Sequence, residues 1–489
     1  MPVIKPLRQA AAPVRVGVLT DKAIVVDEDG RRLHPRSFHE RQPNLLVYAS
    51  VETAEALHRQ GIGETLVWDS VPKRWRFECH PEQEQWWPRR SDVAVLAHPL
   101  FPPTTRLALA ALRLWRDWLE SYGAHPTLSL SGTAMSLLRA TLRAPLRTMA
   151  GETPPFYWTM GPRVYLPLYV DPYTSFRPAH HLDLGAAYPR AMASLPFGEA
   201  IWRRLDGRQL ARMGADEREA QTPLVVRARI RLPEGLVHGP LPRRRLRLPD
   251  LPYNNVERCE ILGGALVARY PTEGEWTGVW AWRELAVAAG LGAEIEPLDG
   301  WMLQHDGSLP FWPWWEAVLA GRELPRFAGL LAKGTANALW GAFVPTQGQR
   351  RLVGPGYNRR LPIPALRPPS HDLAELLTAS VRAQGARMMQ ELGERLLSFH
   401  TDGGWVAGKP GTLPEGWTVK MEARQLDLVD PQRWRYWPKG RKDALYVVAG
   451  RPRGEAEQAF LSDWGEVLER RAVDELIRER RRRRRGLPA

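Results

Sequence analysis

The chain has 489 residues, a formal net charge of +14 and hydrophobic residues at 44%, with a pI near 10. That is enough for a large core shared among roughly two to four domains or subdomains, and the charge favours a polyanionic partner, nucleic acid, over a merely basic soluble enzyme. Two cysteines, Cys79 and Cys259, exclude a zinc ribbon or a disulfide framework; the start, MPVIKPLRQAAAP, lacks the apolar stretch of a signal peptide, and no run of about eighteen apolar residues offers a membrane span.

The elements follow in order. VRVGVLT and AIVVDEDG read as hairpin-like strands with a turn at Glu28-Asp29-Gly30. NLLVYAS (44–50) reads as a buried strand, VETAEALHRQG (51–61) as a helix ending at a glycine, and AVLAHPL (94–100) as a further strand. Residues 103–122 have helical periodicity through Leu107, Ala111, Leu114 and Trp118, with Trp115 and Leu119 alongside. Residues 150–180, rich in Pro, Gly and aromatics, read as a linker. His181-Leu182-Asp183-Leu184 suits a strand edge, and Tyr188-Pro189 begins a helix. Residues 224–249 alternate like strands and are dense in arginine, and ILGGALVARYP continues the strand texture. WPWWEAVLAG and LPRFAGLLAKGTANALWGAF are helical, and a Pro/Arg/Gly loop spans about 345–370. HDLAELLTASVRAQGARMMQELGE is a long helix, LLSFHTDGGWVAG a hairpin, and WTVKMEA and ALYVVAG further strands. A helix from about Asp463 leads to seven arginines between Arg478 and Arg485, either a phosphate-binding arm or a solubilising end.

Of 68 basic residues only eight are lysines, and none falls between Lys73 and Lys333. Arginine forks suit phosphate, although GC-rich coding produces the same bias. A lysine kept against that bias is a candidate for a point-charge role.

Three residues stand out. Asp183 (HLDLGAAYP) and Asp402 (SFHTDGGWV) each follow a short strand-like run, with glycine within two residues, and Lys333 opens the helical KGTANALWG. A lone Asp near Gly is usually a turn residue. Two such carboxylates brought together could instead hold a pair of divalent ions about 4 Å apart for nucleotidyl transfer, with the lysine on the triphosphate. No GxGxxG or Walker A pattern is present.

The words around these residues resemble family B DNA polymerases, in layout the compact viral and protein-primed branch. The family's D-x-x-S-L-Y-P motif is matched by Asp183-Leu184-Gly185-Ala186-Ala187-Tyr188-Pro189. K-x-x-x-N-S-x-Y-G is matched by Lys333 through Gly341, and Y-x-D-T-D-S by Ser398-Phe399-His400-Thr401-Asp402-Gly403. The order fits, with 150 residues from Asp183 to Lys333 and 69 from Lys333 to Asp402.

The resemblance implies an α+β, multidomain right-hand fold, with an antiparallel-sheet palm, helical fingers and a small thumb. It implies an α/β N-terminal domain over 1–150, palm over 151–300 with a basic strand-rich segment, fingers over 301–344, and a loop or small insertion over 345–370. A second part of the palm over 371–450 and a thumb or C-terminal helix with its arginine tail over 451–489 complete the division.

It also implies roles. Asp183, Asp402 and the Leu184 carbonyl would hold two Mg2+ (or Mn2+) ions. Tyr188 would lie under the deoxyribose, and Lys333 and Asn337 would face the incoming nucleotide. Arg326 and Arg322 are candidate phosphate clamps or ordinary solvated arginines. Arg163, Trp340, Gly341, His400, Thr401, Lys439 and Lys442 would contact template or primer, although Trp340 reads equally as a core residue. Departures are His400 in place of an aspartate, Ala186, Ala338 and Gly403 in place of serines, and Trp340 in place of tyrosine.

No D-x-E on a strand precedes Asp183, and Asp27-Glu28-Asp29 reads as a turn, so the N-terminal domain is either a ribonuclease-H-like exonuclease fold without its metals or something else. The expectation is a template-directed DNA polymerase without proofreading. It would act as a monomer on primed or single-stranded DNA with deoxynucleoside triphosphates, alongside a replication or priming protein, away from membranes, in a bacterial or phage-infected cytoplasm. The alternatives are a primase-polymerase, a lesion-bypass polymerase and an inactive polymerase-derived DNA-binding protein.

Overall fold

The computed structural model describes residues 15–33, 45–50, 66–69, 74–77, 93–98, 102–142, 150–151, 174–196, 201–242, 260–305, 307–343, 370–400, 402–430 and 433–448, with short breaks inside some spans and a few single residues elsewhere. The helix predicted at 51–61, apart from Thr53, that from Asp463, the arginine tail and nearly all of the 345–370 loop lie outside these residues.

The first strands are β1 (Arg15–Leu19), β2 (Val25–Asp27), β3 (Arg32–Leu33), β4 (Leu45–Ser50), β5 (Leu66–Asp69), β6 (Arg74–Phe77) and β7 (Val93–His98). β5 and β6 pair with each other, and the other five form one sheet in the order β3-β2-β1-β4-β7, with β1, β4 and β7 parallel. The expected turn follows β2. Asp27 Oδ1 accepts the backbone N–H groups of Asp29 (3.0 Å) and Arg31 (2.8 Å), and Gly30 supplies a φ of 82°.

Two helices follow, α1 (Thr105–Ser121) and α2 (Leu130–Thr141). The Thr104 hydroxyl accepts the Leu107 N–H and caps α1. The face that α1 buries is Ala108, Ala111, Leu112, Trp115, Trp118 and Leu119, whereas Leu107 and Leu114 are 40% and 42% exposed. The predicted stripe through Leu107 and Leu114 is therefore corrected by a partial turn. Two tryptophans carry more apolar area than two leucines, and they set which side faces inward.

Next come β8 (Ala150–Gly151), β9 (Thr174–Phe176), β10 (Ala179–Leu184), α3 (Ala187–Ala193), β11 (Ile201–Asp206), α4 (Gly207–Arg212), β12 (Leu224–Leu232), β13 (Glu260–Leu262), β14 (Ala265–Val267), β15 (Gly274–Ala281), α5 (Trp282–Gly290) and β16 (Glu294–Gln304). β13 and β14 pair with each other, while β15-β12-β16-β11-β8 form a five-stranded sheet with its own core around Ile230, Trp276, Trp280 and Leu285. Ala228, Ile230 and Leu232 point into that core, and Arg227, Arg229 and Arg231 alternate outward, the period of two expected of this segment.

The chain continues through α6 (Trp312–Arg322), α7 (Arg326–Phe343) and α8 (Ser370–Leu392) into β17 (Leu396–His400), β18 (Gly403–Ala407), β19 (Trp417–Asp430), β20 (Arg433–Pro438) and β21 (Leu445–Val448). These strands and β10 form a sheet in the order β17-β18-β10-β19-β20-β21, with β9 also on β19. The predicted strand at 181–184 is thus an interior strand, with Asp183 next to its last residue. Leu182 and Leu184 face a core shared with Ala191 and Met192 of α3 and Leu376 of α8. Ala179, His181 and Asp183 alternate onto the opposite face, where Ala179 joins Trp405, Leu426 and Tyr436.

α7 is packed against α1, α2 and α8. It buries Phe327, Ala328, Leu331, Ala332, Thr335, Ala336 and Leu339. Trp115 of α1 donates to Thr335 Oγ1 (3.3 Å), and Trp118 donates to the Ala317 carbonyl of α6 (3.1 Å). Gly321 lets this contact close, because a Cβ there would stand 2.5 Å from the Trp118 ring. A buried ion pair, Arg382 of α8 with Glu284 of α5 (2.6 and 3.0 Å), ties α8 to the second sheet.

Candidate active site

Asp183 and Asp402 meet at one end of the β10 sheet. β10 pairs with β18 so that Asp183 lies opposite Gly403, and the Leu184 N–H donates to the Asp402 carbonyl at 2.7 Å. The carboxylates, 219 positions apart in sequence, therefore project from adjacent backbone.

Glycine at 403 has a steric reason. A Cβ there would stand 2.5 Å from the Leu182 carbonyl and 3.1 Å from His181 Cε1, so the serine of the resembled motif does not fit this hairpin. His181 in turn lies edge-on to Trp405 and stacks near Trp434, a wall below the site. After β10 the chain turns sharply. Gly185 N–H donates to the Gly416 carbonyl (2.9 Å), and Ala186 takes the left-handed φ of 53° as N-cap of α3. Such a conformation costs about 1–3 kcal/mol in a residue with a Cβ. It turns the chain into α3 two residues before the half-buried Tyr188, which packs on the central core.

The electrostatics are unbalanced. Asp402 has its pKa pushed up to about 6, first by burial and next by the charge of Asp183, against the opposing fields of Lys420, its own backbone and Lys333. Lys333 is exposed on α7, one turn from the exposed Asn337, and so shares a helix face with it as predicted. Its effect on Asp402 puts that face within electrostatic reach of that carboxylate. Among the described residues, no group of three or more His, Cys, Asp or Glu side chains gathers as a metal cluster.

Lys420, which belongs to none of the matched motifs, has a place at this site. Its Nζ donates to Asp183 Oδ1 at 2.7 Å. In the β10–β19 register His181 faces Met421 and Leu182 faces Val419, so Lys420 is the extra residue of a bulge. A bulge re-aims its side chain out of the strict alternation. The scarcity of lysine in so arginine-rich a chain is the available signal, but Lys420 belongs to no matched motif.

The remaining candidates are spread around this centre. Arg322 ends α6 and Arg326 begins α7 with a φ of 49°, Arg326 exposed and Arg322 half-buried. Trp340 and Gly341 lie in the last two turns of α7, and His400 ends β17 paired with Gly403. Lys439 is exposed and holds Glu422 (3.0 Å), and Lys442 is exposed nearby, its carbonyl accepting from Arg424 (3.1 Å). Arg163 and Thr401 lie outside the described residues. No described helix is long and apolar enough to cross a membrane.

No protein-family model matches the sequence, and no curated protein matches it. The fold does have solved counterparts. Phi29 DNA polymerase complexed with primer-template DNA and incoming nucleotide substrates superposes with a TM-score of 0.53 at 11% identity, covering 92% of this chain and 94% of that one. The same polymerase complexed with single-stranded DNA gives 0.53 at 11% identity, covering 91% and 94%. Its post-translocation complex with primer-template DNA gives 0.51 at 10% identity, again covering 91% and 94%. The chain therefore has a fold of the protein-primed family B polymerase kind, as the motifs implied, over nearly its whole length.

Proposed function

We propose that this protein is a template-directed DNA polymerase without proofreading, extending a primer 3′-hydroxyl with deoxynucleoside triphosphates. The observation that carries the reading is the pairing that sets Asp183 beside Asp402 with Lys333 in electrostatic reach. The solved counterparts hold primer-template or single-stranded DNA, which supports DNA as the partner of this +14 chain.

The residues fit divalent ions. Two like-charged carboxylates share one corner, and an ammonium already sits on one of them as a resident cation. Mg2+ binds through one or two carboxylates and takes its other ligands from water and substrate phosphates, so the small number of protein ligands is compatible with it, and with Mn2+. Asp183, Asp402 and the Leu184 carbonyl would hold the ions. When bound, they would supply Lewis-acid stabilisation of the attacking and leaving oxygens.

Lys333 and Asn337 would receive the triphosphate on the exposed face of α7, with Arg326 and Arg322 behind. Tyr188 would support the sugar. Trp340, Gly341, Lys439 and Lys442 would face template and primer. In the N-terminal domain the Asp27 carboxylate is taken up by its own turn and by Arg15 (3.7 Å), which supports a scaffold role there rather than exonuclease chemistry.

The test is extension of a primed DNA template with Mg2+ or Mn2+ by wild type and Asp402→Asn. Metal-dependent extension lost in the variant, with DNA binding retained, is expected. Unchanged extension would remove Asp402 from the assignment. A mispaired 3′ end left untrimmed would support the absence of proofreading.

A further inference from the structure

We infer that Lys420 makes divalent-ion binding at the Asp183–Asp402 pair conditional on the incoming polyphosphate. The inference rests on the polymerase reading above and extends it to a residue outside the matched motifs.

Three observations carry it. First, the Lys420 ammonium is bound to Asp183 Oδ1 at 2.7 Å, in the position a cation ligand of that oxygen would take. Second, the lysine is the unpaired residue of the β19 bulge. Its side chain is 47% exposed, so it can leave the carboxylate without disturbing strand pairing. Third, no further His, Cys, Asp or Glu among the described residues completes a cluster of three with the two aspartates. The position that is an aspartate in the resembled motif is His400. Two carboxylates and one ammonium leave a net charge of −1 at the corner, with Lys333 adding its field from α7.

A divalent ion arriving alone competes with an ammonium for Asp183 Oδ1 and, among the described residues, finds few ligands. An ion arriving on a triphosphate brings anionic oxygens with it, and those oxygens offer the released Lys420 a new partner. An exposed ion pair is weak enough to be displaced, so Lys420 sets a threshold rather than a block. Glu422, two residues along, does not compete for Lys420, because Lys439 holds it at 3.0 Å.

The test is Mn2+ binding to the full chain, read by electron paramagnetic resonance without nucleotide and by calorimetry with a non-hydrolysable deoxynucleoside triphosphate. Without nucleotide, Lys420→Gln should bind Mn2+ up to about thirtyfold more tightly than wild type, since a unit charge about 4 Å from a divalent ion in a solvated site has about that effect. Lys420→Arg keeps the charge and should bind as wild type does. With nucleotide the difference should shrink. Asp183→Asn in the Lys420→Gln background should abolish the gain. Equal binding by wild type and Lys420→Gln without nucleotide, or an equal gain in Lys420→Arg, overturns the inference while leaving the polymerase reading in place. Failure of every form to bind Mn2+ even with nucleotide overturns both. Circular dichroism of each variant separates these results from misfolding.

Discussion

Two largely antiparallel sheets in this molecule are dense in charge, and they use it in opposite ways. On the β15-β12-β16-β11 face, charges from neighbouring strands are matched. Arg227 grips Asp299 with two hydrogen bonds (2.9 and 2.7 Å), with Arg204 at 3.4 Å from the same carboxylate. Arg229 meets Glu296 at 3.1 Å and Glu275 at 3.7 Å, and Arg231 meets Glu294 at 3.7 Å. At the end of β10 two carboxylates are crowded together and share one half-exposed ammonium. The arginine density of residues 224–232 is therefore a self-neutralising ladder. The small excess of negative charge at Asp183 and Asp402 is where the proposed function places divalent ions. Net charge along a sequence does not distinguish these cases; cross-strand pairing does.

The contrast can be broken most sharply at Asp402. Asp402→Asn should lower primer extension by about 10³-fold or more, since ion-mediated charge stabilisation is worth several kcal/mol, and steady-state extension with a DNA-binding control checks it. Next in size is the strut between the two regions. Glu284 and Arg382 are 2% and 4% exposed, so Glu284→Gln, which removes the charge of one partner, should cost about 3–5 kcal/mol. Urea unfolding measures this, and extension at low temperature should survive. Lys333→Ala, by removing a preorganised cation from the triphosphate, should slow extension by about 10²-fold, read as kcat and KM for the nucleotide.

A smaller effect follows from the raised Asp402 pKa. Between about pH 4 and pH 6 the folded protein holds a proton on Asp402 that the unfolded chain has released. The stability of the metal-free protein should therefore fall as pH rises through that window, by about 3 kcal/mol from this group. Thermal melting in chelator should show the slope, and Asp402→Asn should flatten it. In the metal-free site, protonation of Asp402 competes with divalent-ion binding as pH falls toward 6, so the metal concentration needed for extension should rise. The least effect belongs to the ladder. Arg227→Ala should cost about 1 kcal/mol and Arg229→Ala about 0.5 kcal/mol or less, both with extension unchanged. A large loss of DNA binding in either would show that the ladder does more than hold its sheet.

Much of this was legible in the sequence, and the reason lies in range. Strands β1, β4, β7, β12, β17 and β18 and helices α1, α6, α7 and α8 carry their periodicity and end signals within their own spans. Lys333 and Asn337 share a face by helical spacing alone. What failed was local inference asked to settle a tertiary question. Leu107 and Leu114 match the helical period as well as the buried face does, and only the packing of Trp115 and Trp118 against α6 and α7 decided between the stripes. The Arg227–Asp299 and Arg382–Glu284 partners are 72 and 98 positions apart, and nothing local links them.

The sequence by itself determined the residue types and their order along the chain: two aspartates at strand ends, a lysine on a helix face, and an arginine-rich charge. The tertiary structure decided that β10 runs between β18 and β19, which turns two distant carboxylates into neighbours. It also decided that one bulge in β19 delivers Lys420 to Asp183. Chain order fixes only what each residue can do, whereas register fixes what it meets. A shift of one residue in a strand exchanges its two faces.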